Sequence, residues 1–98
     1  MRTNKDSILA YTTIFGPQHS VIKMIEEMGE LTQVLAKYLN NPSKVDEKLI
    51  CEELAHVEVF SECLRNIFSN ETINYYYNER VKRLRAKVIA YTYSTEKY

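Results

Sequence analysis

Tryptophan is absent from this chain, and glycine, proline and cysteine each occur only twice. So few breakers leave few places to turn, and β-branched alternation is nowhere sustained, which excludes a sheet protein and predicts an all-α one. The two cysteines, Cys51 and Cys63, fall on one predicted helix, separated by a rise of about 18 Å that no disulfide spans within that helix. They read as free thiols, structural or incidental and not catalytic. No apolar run approaches the roughly 18 residues of a membrane span. The opening residues, Met1 to Asp6, lead into no signal-like hydrophobic stretch, so a cytoplasmic protein without a membrane partner is expected. Net charge is missing as well. The 13 basic and 13 acidic residues balance, so nothing pulls the chain as a whole toward nucleic acid or an anionic surface.

What is present is helical periodicity. At 98 residues the chain is expected to form one domain, residues 1–98. A first helix is predicted over about residues 5–14, stopping at Gly16-Pro17. A second runs from about His19 to Leu39 and ends at the breaker Asn40-Asn41-Pro42-Ser43. A third starts near Asp46, a natural cap, and reaches about Phe68. Ser69-Asn70 then turn the chain and cap a fourth, from about Glu71 to Ala90. Four helices with short connections predict an antiparallel four-helix bundle, with Tyr91 to Tyr98 as a polar tail able to fray.

Two acidic motifs stand out against this background, Glu26-Glu27-Met28-Gly29-Glu30 in the second helix and Glu52-Glu53-Leu54-Ala55-His56 in the third. A turn of about 100° per residue sets Glu27 and Glu30 roughly 60° apart on one flank, where both can serve one site. The second helix carries an apolar stripe through Val21, Met24, Ile25, Met28, Leu31, Leu35 and Leu39, and Glu27 runs along its border. The third helix carries Ile50, Leu54, Val57, Phe60, Leu64 and Phe68, and Glu53 falls inside that stripe, about 40° from Val57. A carboxylate turned inward must be protonated, ion-paired or bound to a metal. His56, three residues beyond Glu53, lies on the same side and can share whatever Glu53 binds. The plainer alternative is a set of ion pairs with Lys23, Lys37, Arg80 and Arg83. His19 reads as an exposed first-turn residue.

In the fourth helix the stripe is Ile73, Tyr77, Val81, Leu84, Val88 and Tyr91, with Arg80 within it and Arg83 on its border. Such guanidiniums either pair with the surplus carboxylates or contact a phosphate. Lys82, Arg85 and Lys87 read as a solvated face. Tyr75, Tyr76 and Tyr77 point to three different sides of a helix and cannot all enter one core, which favours a subunit interface over stacking on a base.

The ordered set Glu26-Glu27-x-x-Glu30, a helix-loop-helix spacer of 21 residues, and Glu52-Glu53-Leu54-Ala55 leading into Val57 resembles the MazG-like nucleotide pyrophosphohydrolases. Phe15-Gly16-Pro17-Gln18-His19 and Arg80-x-x-Arg83-Leu84 look like the short phage and prophage members of that group, and the resemblance extends over residues 15–88. It implies an all-α enzyme that hydrolyses a nucleoside triphosphate to the monophosphate and pyrophosphate, assembled as a homodimer or homotetramer and dependent on Mg²⁺. By position, the resemblance makes Glu27, Glu30 and Glu53 metal ligands and Glu26 and Glu27 the catalytic residues, Glu26 being the neighbouring acid that orients water. Lys23, Arg80 and Arg83 are the candidate substrate contacts.

The chain departs from the family at position 56, where the family has Asp and this chain has His. An imidazole removes a negative charge and disfavours Mg²⁺, which prefers oxygen donors. Three outcomes stay open: His56 ligates Mn²⁺, Co²⁺ or Zn²⁺; it only hydrogen-bonds Glu27 or Glu30; or the site is degenerate in an oligomeric nucleotide-binding or regulatory protein. Glu53-x-x-His56 also matches half of a dinuclear carboxylate site, which would need two chains to complete.

Overall fold

The computed structural model describes residues 3–96, and every regular element among them is helical: α1 (Asn4–Phe15), α2 (Pro17–Asn40), a 3₁₀ turn (Pro42–Lys44), α3 (Glu47–Arg65) and α4 (Asn70–Glu96). The all-α expectation is met.

Local chemistry accounts for each boundary. Thr3 and Asp6 form a reciprocal capping box at the start of α1, with the Asp6 amide donating to Thr3 Oγ1 at 3.1 Å and the Thr3 amide to Asp6 Oδ2 at 3.3 Å. The helix ends at Gly16, whose φ of 87° suits glycine and whose amide donates to the Thr12 carbonyl at 3.0 Å. Pro17 then opens α2 directly, two residues before the expected start at His19, because a proline at the first helical position gives up no hydrogen bond. Asp46 caps α3 by accepting from the Lys48 amide at 2.9 Å. That helix stops at Arg65, short of the expected Phe68, since the amides of Ile67 and Phe68 both turn back to the Leu64 carbonyl. Ser69 Oγ accepts from the Thr72 amide at 3.1 Å at the start of α4. No glycine or proline follows, and α4 continues past the expected end at Ala90 as far as Glu96. Lys97 and Tyr98, the end of the expected tail, lie outside the described residues.

The chain divides into two compact units, Met1–Phe68 with α1, α2 and α3, and Ser69–Tyr98 with α4. In the first unit α2 and α3 are the principal packed pair, a hairpin joined by residues 41–46, and α1 rests against both. The buried line of α2 runs through Ser20, Glu27 and Val34, one residue every two turns. This corrects the expected stripe: Ile25, Met28, Leu35 and Leu39 are exposed, and Glu27 is central instead of marginal. On α3, Ile50, Glu53, Val57, Phe60 and Leu64 are half-buried and Cys63 is buried, whereas Leu54 and Phe68, also expected inside, are exposed. Among the described residues the only buried apolar side chains are Val34 and Cys63, alongside the polar Thr12, Ser20 and Glu27. Carboxylate therefore takes up space in this unit that an ordinary hairpin gives to leucine.

The second unit is one helix, and a lone helix has no core of its own. Lys82 Nζ pairs with Glu79 Oε1 at 3.1 Å, and the rings of Tyr75 and Tyr76 meet edge to face with centroids 5.2 Å apart. Tyr77, Leu84, Val88 and Tyr91 of the expected stripe are exposed, as are Arg80 and Arg83.

Candidate metal centre

The α2–α3 hairpin brings together Glu27, Glu53 and His56, each offering a ligand atom within 4.8 Å of the others. Glu27 comes from the middle of α2. Glu53 and His56 come from one turn of α3, where the i, i+3 spacing puts both on the side facing α2. His56 turns Nδ1 toward the carboxylates, 3.3 Å from Glu27 Oε2 and 3.9 Å from Glu53 Oε2. The two carboxylate side chains are 12% and 13% exposed, against 44% for the imidazole. The cluster is thus walled by its acids and open on the side of His56, as a site that admits a ligand must be.

Neither Glu27 Oε2 nor Glu53 Oε2 accepts a hydrogen bond, although both atoms are buried. Buried carboxylate oxygens rarely go unsatisfied, because lost hydration must be replaced by a donor or a cation. Burial, followed by the hydrogen bond and negative charge of Glu30, holds the Glu53 carboxyl above its ordinary range; Glu27 adds to the rise and His56 opposes it. Three acids crowded in this way favour a proton or a cation between them. The donor set, a buried and a half-buried carboxylate with an imidazole and a third carboxylate alongside, fits a divalent ion.

The remaining candidates are not among these three donors. Glu30 is exposed and reaches the cluster through Glu53. Glu26 is exposed and pairs with Lys23, its Oε2 3.1 Å from Nζ, and that contact pushes the Lys23 ammonium above the usual lysine range, by hydrogen bond first and charge second. Arg80 and Arg83 belong to α4. Cys63 is a buried free thiol, as expected of a structural cysteine.

Two residues were misjudged or missed. His19, expected to be exposed, is half-buried, hydrogen-bonded through Nε2 to the Tyr11 hydroxyl and packed against the rings of Tyr11 and Phe15. The sharp turn at Gly16 folds α1 back and supplies that cover. Ser20 is fully buried and its Oγ has no hydrogen-bond partner. Its only signal in the sequence is its place seven residues before Glu27, the period that keeps a side chain on one face. No protein-family model matches the chain, and neither a curated protein nor a solved structure matches it significantly.

Proposed function

We propose that this protein hydrolyses a nucleoside triphosphate to the monophosphate and pyrophosphate with the help of a divalent cation, Mg²⁺ in the MazG-like family it resembles. The observation that carries the reading is the pair of buried, unsatisfied carboxylate oxygens, Glu27 Oε2 and Glu53 Oε2, gathered at the one place where the family-like motif sets its metal ligands.

Glu27, Glu53 and His56 would hold the ion, with Glu30 as a further acid beside Glu53. Bound there, a divalent cation supplies neutralisation of phosphate charge and a lowered pKa for water. Glu26, ion-paired with Lys23, orients the attacking water and takes its proton. The water oxygen bonds to the α-phosphorus as the bond from that phosphorus to the bridging oxygen breaks, and the bridging oxygen leaves with pyrophosphate. Arg80 and Arg83 contribute guanidinium contacts to the phosphates. In this reading the helices close into an antiparallel four-helix bundle, and two or four copies assemble in the cytoplasm, using the exposed tyrosines of α4 as contact surface.

The test is pyrophosphate release from a panel of natural and modified nucleoside triphosphates, run with Mg²⁺, Mn²⁺ and Co²⁺ in turn. Turnover that requires metal and is lost in Glu53→Gln supports the reading; silence with every ion overturns it. A second reading has one observation in its favour, the 3.3 Å approach of His56 Nδ1 to Glu27 Oε2, by which an imidazolium neutralises the carboxylate without any ion. The protein would then bind a nucleotide without cleaving it. Saturable nucleotide binding in a wild type that turns nothing over, with activity appearing in His56→Asp, would establish that reading.

A further inference from the structure

The donor atoms of the candidate centre disagree with the ion that the family resemblance implies. We infer that the centre takes a first-row transition dication, Mn²⁺, Co²⁺ or Zn²⁺, in preference to Mg²⁺, and that His56 Nδ1 is the ligand that makes the choice. The inference rests on the proposed metal-binding reading and deepens it.

Two observations carry it. The nitrogen that faces the acids is Nδ1, which approaches both Glu27 Oε2 and Glu53 Oε2, so the imidazole is aimed into the cluster by its position on α3. Glu27 is buried, and its Oε2, 3.3 Å from the imidazole nitrogen, accepts no hydrogen bond.

The chemistry points the same way. Mg²⁺ keeps its waters and accepts carboxylate and phosphate oxygens, and a nitrogen that replaces a carboxylate removes both a hard donor and a negative charge. Imidazole suits the later dications, whose affinity for nitrogen rises along the series from Mn²⁺ to Cu²⁺. Two carboxylates and one neutral imidazole balance a double positive charge and leave a coordination position open toward solvent, the composition of a catalytic and not a closed structural site. Position 56 thus acts as the selector of the metal.

The experiment is a calorimetric titration of the nucleotide-free protein with Mg²⁺, Mn²⁺, Co²⁺ and Zn²⁺ separately, on the wild type, His56→Asp and Glu27→Gln, each checked for helicity by circular dichroism. In parallel, nitrogen-15 imidazole resonances are followed during Zn²⁺ addition. The expected result is a preference for Co²⁺ over Mg²⁺ on the order of 100-fold or more in the wild type, narrowed by at least about tenfold in His56→Asp. Binding should be lost in Glu27→Gln, and the Nδ1 resonance of His56 should move with metal while Nε2 moves less. An unchanged ratio in His56→Asp, or unmoved His56 resonances, overturns the inference. Failure is separable from that of the proposed activity. Selective binding without turnover of any triphosphate leaves the inference standing and removes the activity, whereas Mg²⁺-supported turnover with His56 unmoved does the reverse. Absence of binding by every ion overturns both.

Discussion

The α2–α3 pair and α4 handle charge in opposite ways. In the pair, Glu27 is buried and Glu53 nearly so, while the apolar residues Ile25, Met28 and Leu54 are left exposed. On α4 the charged residues Arg80, Lys82, Arg83 and Arg85 are exposed, and so are Leu84, Val88 and Ile89. An exposed charge costs little and says little about function, since water solvates it equally well in many sequences. A buried carboxylate must be compensated, so it narrows the chemistry to a proton, a cation or a metal. Two glutamates and a histidine therefore say more about function than the more numerous cations of α4.

The largest effect should come from removing a buried donor. Glu53→Gln is expected to lower kcat/KM by at least about 100-fold in the preferred metal while the circular dichroism spectrum is kept, whereas Arg80→Ala should cost about tenfold. Equal losses in steady-state assays would erase the contrast between the two regions. Next in size is packing. Val34 is 5% exposed and Val88 63% exposed, so Val34→Ala should destabilise by about 2 kcal/mol and Val88→Ala by less than about 0.5 kcal/mol in urea titrations. A comparable cost at Val88 would reveal that α4 is covered in solution, and its dependence on protein concentration would identify another copy as the cover. Replacing the cap of α3, Asp46→Ala, should cost about 1 kcal/mol by the same titration, because the Lys48 amide loses its acceptor.

The smallest effect is on pH dependence, measured without divalent ions. The folded-state pKa of Glu53 lies above its ordinary value of 4.5, so folding favours its protonated form. That contribution is complete below the ordinary value and is lost as pH rises through the raised one. Glu53→Gln should therefore leave Tm near that of the wild type in acid and raise it at neutral pH. A Gln variant less stable than the wild type at neutral pH would show that the ionised carboxylate already has a partner in the protein.

Much of the site is readable one helix at a time. The i, i+3 spacing of Glu53 and His56 puts them on one side of α3 whatever α3 packs against, and the caps at Asp46 and Ser69 follow from side chains that accept from nearby amides. Glu27 is different. Periodicity gives α2 an apolar arc wide enough to admit several lines, and the line chosen runs through Ser20, Glu27 and Val34 instead of Met28 and Leu35. Nothing within α2 selects it, because the choice depends on how α3 meets it. His19 teaches the same lesson from the other end of the helix, where its burial depends on α1 folding back at Gly16 to bring up Tyr11 and Phe15.

The sequence by itself determined that the chain is helical, where α1 and α2 divide, which side chains cap α3 and α4, and that Glu53 and His56 share a side. These are consequences of backbone propensity, breaker placement and contacts within four residues, which need no distant partner. The tertiary structure alone decided that Glu27 is central, that Leu54 and Phe68 face outward, and that Nδ1 of His56 meets carboxylates from two helices. Burial is a property of a pair of surfaces. Only the packing of α2 against α3 removes water from particular atoms, and it is that removal which turns three common residues into a candidate metal centre.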